Sequence, residues 1–316
     1  MILPRQKKGY ALIAVLWVLV LLTVLVAGLS ASSRQTTNSL EAFAGGVQAR
    51  YLADGGIRLV ILNLLDPLPA NRLLGDGQLI TVEVDDGQVD VVVTDENGKI
   101  DINAANELLL TRLFESLSVD EKKSEQLAAA IADYRDEDDL VRLNGVEDAD
   151  YLKAGLSYGA KDALFTSVDE LKQVLGMDQE IFNAVRPYVT VYARSQGVNP
   201  EVAPLPVLMA LSDDSVGMLE SYIDQRRQAH KDGLPMPSVP QIDRQFMSRT
   251  RGVIYTMDAV GVTEKGKQSG VTTTLRVRRG RNQASLEILA WKPYIKPEYE
   301  LTLGSFEVQE LDADNE

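Results

Sequence analysis

From Tyr10 to Leu29 the chain runs twenty residues without a charge, directly after the basic stretch Arg5 to Lys8. As a helix this run spans about 30 Å, the thickness of a bilayer's hydrocarbon core. Ser30 to Thr37 is polar, and apolar positions then return at near-heptad intervals: Leu40, Phe43, Val47, Ile57, Ile61 and Leu64. That spacing predicts one apolar stripe on a continuing polar helix over residues 30–66. Gly45-Gly46 and Gly55-Gly56 fall inside it, each costing up to about 1 kcal/mol relative to alanine, so bends or close packing are expected there. Asp66-Pro67 and Pro69 end the element.

The pattern then switches to strands. Leu79 to Val84 and Val89 to Val93 flank Asp85-Asp86-Gly87-Gln88, a hairpin signal. The second run alternates imperfectly, which predicts burial on both faces. From 99 to 245 the pattern is helical. Asn103 is the expected N-cap of a helix through Leu113, and Ser118 to Glu121 and Ser167 to Glu170 are further start signals. A weak echo links Asp101 to Arg135 with Gly197 to Arg226 and predicts two helix-hairpin units packed side by side. Strand patterns return at Gly252 to Val262, Gly270 to Arg278 and Ala284 to Trp291, and Glu307 to Glu316 forms an acidic tail. The expected class is α+β. An N-terminal membrane helix (10–29) leads to one antiparallel sheet (70–98 and 246–305), interrupted by a large helical insertion (99–245), with an acidic tail (306–316).

Because the lysines precede the apolar run, the N-terminus is expected in the cytoplasm and the remainder exported. Three readings of the N-terminus compete. A signal peptide cut near Leu29-Ser30-Ala31 needs a shorter apolar region. A plain single-pass anchor fits the length. A prepilin-type leader, 1–9, cut between Gly9 and Tyr10, also explains the glycine at the boundary and the polar helix that follows.

Composition narrows the chemistry. The formal charge is −14, and loss of Arg5, Lys7 and Lys8 would take it to about −17, which repels phosphate backbones. There is no cysteine, and His230 is the single histidine, expected as a solvated helix-end residue. A zinc centre or a serine triad is hard to build from that set. Between Asp133 and Asp150 stand eight acidic residues and two arginines. Their spacing does not match an EF-hand. A solvated acidic loop and a cation-stabilised one both remain open.

The architecture and motifs resemble the K-type minor pseudopilins of the type II secretion system. The resemblance is carried by Lys8 to Trp17, Gly98 to Asn103, Asp133 to Asp139, Asn144 to Tyr151 and Phe165 to Leu171. It implies no catalytic activity and a bitopic inner-membrane protein with a periplasmic domain, cut by prepilin peptidase and methylated at Tyr10. Ala14 stands where most pilin-like subunits carry an assembly glutamate, and the resemblance implies a tip subunit with no subunit ahead of it. The implied partners are minor pseudopilins of the I, J and H types, the major pseudopilin, the inner-membrane secretion platform and exported proteins, with no nucleic acid. Partner helices are expected on Leu40, Phe43, Val47, Ile57, Ile61 and Leu64. The resemblance also supports calcium on Asp133, Asp136, Asp138, Glu147 and Asp148, with Asn144 offering a carbonyl; hard oxygen ligands suit that ion. Two rivals stand beside this reading. One is a membrane-anchored helix-hairpin-helix protein of DNA uptake, superficially suggested by Asp101 to Leu108. The other is a metal-dependent hydrolase, for which no base or nucleophile is singled out.

Overall fold

A computed structural model describes residues 9–84, 87–250, 252–280 and 284–294. Leader residues 1–8, the Asp85-Asp86 turn centre and the 306–316 tail lie outside the described residues. Helix α1 (Gly9–Leu64) is a single unbroken element of 56 residues. Its 12–30 stretch is uncovered by the rest of the chain, and it is long and apolar enough to cross a membrane.

Strands β1 (Asp76–Val84) and β2 (Gly87–Asp95) follow as an antiparallel pair. The chain then leaves the sheet through a short β3 (Ile100–Asp101), α2 (Glu107–Ser116), α3 (Glu121–Arg135), α4 (Asp148–Lys153), α5 (Gln179–Val185), a short β4 (Val189–Thr190), α6 (Leu205–Leu211) and α7 (Val216–Lys231). It returns as β5 (Ile254–Thr263), β6 (Gln268–Arg279) and β7 (Ala284–Pro293). The five long strands order as β1-β2-β5-β6-β7, all antiparallel. Thus β2 and β5 are direct neighbours, Asp95 opposite Tyr255, although the whole helical block separates them in sequence.

The lower half of α1 lies across β2, β5 and β6. Ala49, Ala53, Ile57, Val60 and Leu64 are buried against Val89, Val91, Val93, Met257, Ala259, Val271 and Leu275. Small residues set the approach: a Cβ on Gly261 would run into the Ala49 carbonyl, and one on Gly56 into Val89. The Arg279 guanidinium donates to the Leu64 carbonyl at 2.9 Å, a cation placed at the negative end of the helix dipole. Strand β2 departs from the expected burial on both faces. Val89, Val91 and Val93 face α1, while Asp90, Val92 and Thr94 are half-buried, because the helix covers one side only.

The helical block has its own core, built on Leu109, Leu110, Leu113, Phe114, Leu127, Ile131, Tyr134 and Leu208. Helix α2 packs on α3 and α6, and α6 on α7, so two helix pairs stand side by side. Two start signals shift. Asn106, rather than Asn103, caps α2 through the Leu109 N–H at 2.9 Å. Asn103 instead holds a loop 62 residues away, exchanging hydrogen bonds with Phe165 at 2.8 and 2.9 Å. Asp120 caps α3, because Ser118 takes a left-handed φ of 64°.

Buried polar ties join block and sheet. Asp95 accepts from the N–H groups of Asn97 and Gly252, closing the neck where the chain leaves and re-enters. Beside it, Arg226 is fully buried and pairs with the equally buried Asp76 at 3.3 Å, while Arg227 reaches the same carboxylate at 2.7 Å. His230 is not a free solvated residue: its Nε2 lies 2.6 Å from the Arg72 carbonyl. The neck sits at the Leu64 end of α1, since Arg279 bridges the Leu64 and Gly252 carbonyls. The block is therefore carried at the end of α1 opposite the apolar segment.

Candidate functional site

Two features of the surface are not explained by the chain's own packing. The first is the outer face of α1. The expected stripe divides in two. Leu40, Phe43 and Val47 are exposed, Phe43 at 73%. Ile57 and Leu64 are wholly buried against the sheet, so these two cannot meet a partner, and Ile61 packs beside them partly buried. Their places on the free face are taken by Tyr51, Leu59 and Leu62, exposed at 72%, 46% and 66%. A strict seven-residue repeat drifts around a 3.6-residue helix, so a line continued from Leu40 at heptad spacing passes from the free face to the buried one. Ala14 lies higher on the same helix, in the stretch the protein leaves uncovered. The Gly9–Tyr10 bond lies at the helix's first described residues.

The second feature is a cluster of carboxylates between α3 and α4. Asp133, at the end of α3, is fully buried; the Arg142 guanidinium donates to its Oδ1 at 2.7 Å and to Asp136, and forms an ion pair with Glu107 at 3.0 Å. Those hydrogen bonds, Asp133 first, hold Arg142 protonated beyond its ordinary range. Glu147, ahead of α4, is buried and its pKa is pushed up to about 7, by burial first and then by Asp133, Asp136, Asp162 and Asp139. Burial also raises Asp162, helped by Asp148, Asp139 and Asp136. One oxygen of Asp136 and one of Glu147 are buried without a hydrogen-bond partner, an arrangement that costs free energy unless something else meets them. Two glycines admit the carboxylates: a Cβ on Gly145 would collide with Asp133, and one on Gly159 with Asp148.

The sequence-derived acidic set is therefore only partly brought together. Asp133, Asp136 and Glu147 converge, and Asp148 stands at their edge, accepting from the Ala160 N–H at 2.9 Å. Asp138 is exposed and turns back on the Leu140 N–H, and the Asn144 side chain points to Glu125. Asp139 and Asp162 belong to the cluster and were missed, Asp162 because it approaches from a later loop. Among the described residues no three carboxylates stand close enough to share one cation as placed; the Arg142 guanidinium supplies the positive charge between Asp133 and Asp136.

A long helix with its lower half laid on an antiparallel sheet and its upper part apolar enough to cross a membrane, with a helical block carried between two paired strands, defines the class as α+β. Residues 87–194 match the family model described as type II secretion system protein K. Curated relatives include type II secretion system protein K of Klebsiella pneumoniae, 28% identical over 60% of this chain and 64% of its own length. The protein of the same name from Pseudomonas aeruginosa is 27% identical over 70% of this chain and 73% of its own. The match to the Klebsiella relative thus spans just under two thirds of that protein. Among solved structures, the GspK-GspI-GspJ complex of enterotoxigenic Escherichia coli contains a chain of the same fold, with a TM-score of 0.53, 17% identity and coverage of 84% of this chain and 99% of that one. By the family model over residues 87–194 and by these relatives, the chain is similar to type II secretion system protein K.

Proposed function

We propose that this chain is a minor pseudopilin of the type II protein secretion system. It stands at the tip of the periplasmic pseudopilus, starts assembly with other minor pseudopilins, and supports export of folded proteins across the outer membrane. It is anchored in the inner membrane by α1, N-terminus inside, and acts by contact rather than catalysis. The observation that carries this reading is the exposed apolar row on α1 from Leu40 to Leu62, separated by a polar stretch of the same helix from the apolar segment above it. Such a face on an exported helix is unfavourable in water and calls for neighbouring helices. A structural relative is described in complex with GspI and GspJ, which supports I- and J-type partners here. Two further observations favour the tip. Ala14 brings no carboxylate into the membrane to pair with a subunit ahead. The helical block sits at the membrane-distal end of α1, where a shaft position would place it against neighbouring subunits.

Calcium belongs to this reading as a stabiliser. The unpartnered oxygens of Asp136 and Glu147 support a cation with oxygen ligands, whose binding would have to draw the carboxylates together from where they stand. Asp136 and Glu147 would hold it, with Asp133, Asp139, Asp148 and Asp162 neutralised around it. When bound it would supply positive charge to a cluster that Arg142 alone does not balance.

The experiment is mass spectrometry of the protein extracted from membranes of its own host, with the I- and J-type proteins followed in the same preparation. The expected result is a chain beginning at methylated Tyr10 that carries both partners with it. A chain beginning at Ser32, or an uncut Met1, overturns the reading.

A further inference from the structure

Four glycines interrupt α1 where it passes the sheet, and internal packing accounts for two. A Cβ on Gly45 would press on the Lys267 side chain at 2.7 Å, and one on Gly56 would strike Val89. Gly55 is different: a Cβ there would meet nothing within 4 Å. Glycine weakens a helix interior relative to alanine, and nothing inside this chain requires it at Gly55. Gly46 also faces open space, but lies about a quarter turn to the side of the apolar row.

Phe43, Val47, Tyr51, Gly55 and Leu59 are spaced four apart and form one ridge along the outer face of α1, with Leu40 and Leu62 flanking it. The ridge is apolar and exposed at every position that carries a side chain. At Gly55 it is broken, leaving a notch between Tyr51 and Leu59. Helices pack by setting the ridge of one into the gap of another, and a missing side chain lets the axes approach most closely. The occupant follows from continuity: the ridge lies on the same unbroken helix as the membrane-crossing segment. Whatever covers it from Phe43 to Leu62 must lie along a helix leaving the bilayer, and a helix anchored in that bilayer arrives already parallel to it.

We propose that Gly55 is the crossing point at which the N-terminal helix of a different pilin-like subunit seats a large apolar side chain between Tyr51 and Leu59. The proposal rests on the minor-pseudopilin reading and adds to it the position and chemistry of the contact. The test uses the full chain in detergent with the full-length I- and J-type proteins of the same bacterium, comparing Gly55→Ala, Gly55→Leu and Phe43→Asp. Gly55→Ala and Gly55→Leu should melt at or above the wild-type temperature, because the added atoms enter open space on a helix. Association should weaken in order of size, reaching about tenfold or more for Gly55→Leu, since overpacking a seated contact is costly. Phe43→Asp should weaken it as well. If Phe43→Asp weakens association while Gly55→Leu binds as wild type, the crossing point is elsewhere and the proposal falls, with the functional reading intact. If neither does, the outer face is not a partner surface and that reading loses its support. If Gly55→Leu disrupts only self-association of this chain, the notch belongs to a second copy, and the proposal is overturned.

Discussion

Glu147 carries the largest upward shift among the acidic residues of the cluster, and the sign of its effect is fixed by that direction. Its folded pKa of about 7 lies above the 4.5 of an ordinary glutamate. The folded state therefore holds a proton that the unfolded chain releases, and stability falls as pH rises from about 4.5 to about 7. Asp162 acts in the same sense. In chelator, the melting temperature should decline across that window, and Glu147→Gln should flatten the decline. Calcium near pH 7 should raise the wild-type midpoint more than magnesium, which demands a compact octahedron. At 100 times the dissociation constant the gain is about 2.7 kcal/mol. Asp136→Ala should abolish the calcium response, while Asp138→Ala should leave it unchanged, because Asp138 points away. A midpoint moved equally by both ions would mean a plain acidic loop held by Arg142.

Among the elements, β1 and α7 are held by a contact whose loss is easily read. Arg226 is fully buried, and besides Asp76 it donates to the Pro200 carbonyl at 2.7 Å. Burial pulls its pKa down and Asp76 opposes that. Removing Asp76 leaves a guanidinium in the interior with its charge unpaired, a change of about 3–5 kcal/mol in similar settings. Asp76→Ala should lower stability by that order in denaturant melts. Asp76→Leu combined with Arg226→Met should lower it much less, because the charge left without its partner is Arg227, which reaches solvent, rather than a fully buried guanidinium. Equal losses in both would place the stabilisation in shape rather than in charge.

At the scale of the whole molecule, two hydrophobic cores are joined by a polar neck. One lies between α1 and the sheet, the other within the helical block. Since β2 and β5 pair directly and antiparallel, the block is an excursion between neighbours that a short hairpin could connect. Replacing residues 97–251 by a short Gly-rich turn should leave α1 and the five strands folded, read as a cooperative melt retaining the β signal. Loss of all cooperative structure would show that the sheet depends on the block. The same variant should still bind partner helices through the outer face of α1.

Elements that arise from local pattern were legible in the chain itself. The uncharged run and its continuation as a helix, the hairpin before the block, the three later strands and the helical nature of residues 99–245 all follow from hydrophobic period and turn chemistry. Fine boundaries were less so: Asn103 and Asn106 are both good caps three residues apart, and only the loop at Phe165 decides that the first is used elsewhere. Which side of α1 turns inward was settled by packing. Apolar residues lie on both sides, at Ile57 and Leu64 and at Leu59 and Leu62, so periodicity cannot rank them. The sheet takes the side where Ala49, Ala53 and Gly56 let backbones come close. The carboxylate cluster was half legible for a related reason. Sequence density finds Asp133, Asp136 and Glu147, but Asp162 joins them through a separate loop, and a run of acids does not tell which of them turn inward. Composition and period act along the chain, whereas a seam, a notch or a cluster depends on what is brought against it from elsewhere in the fold.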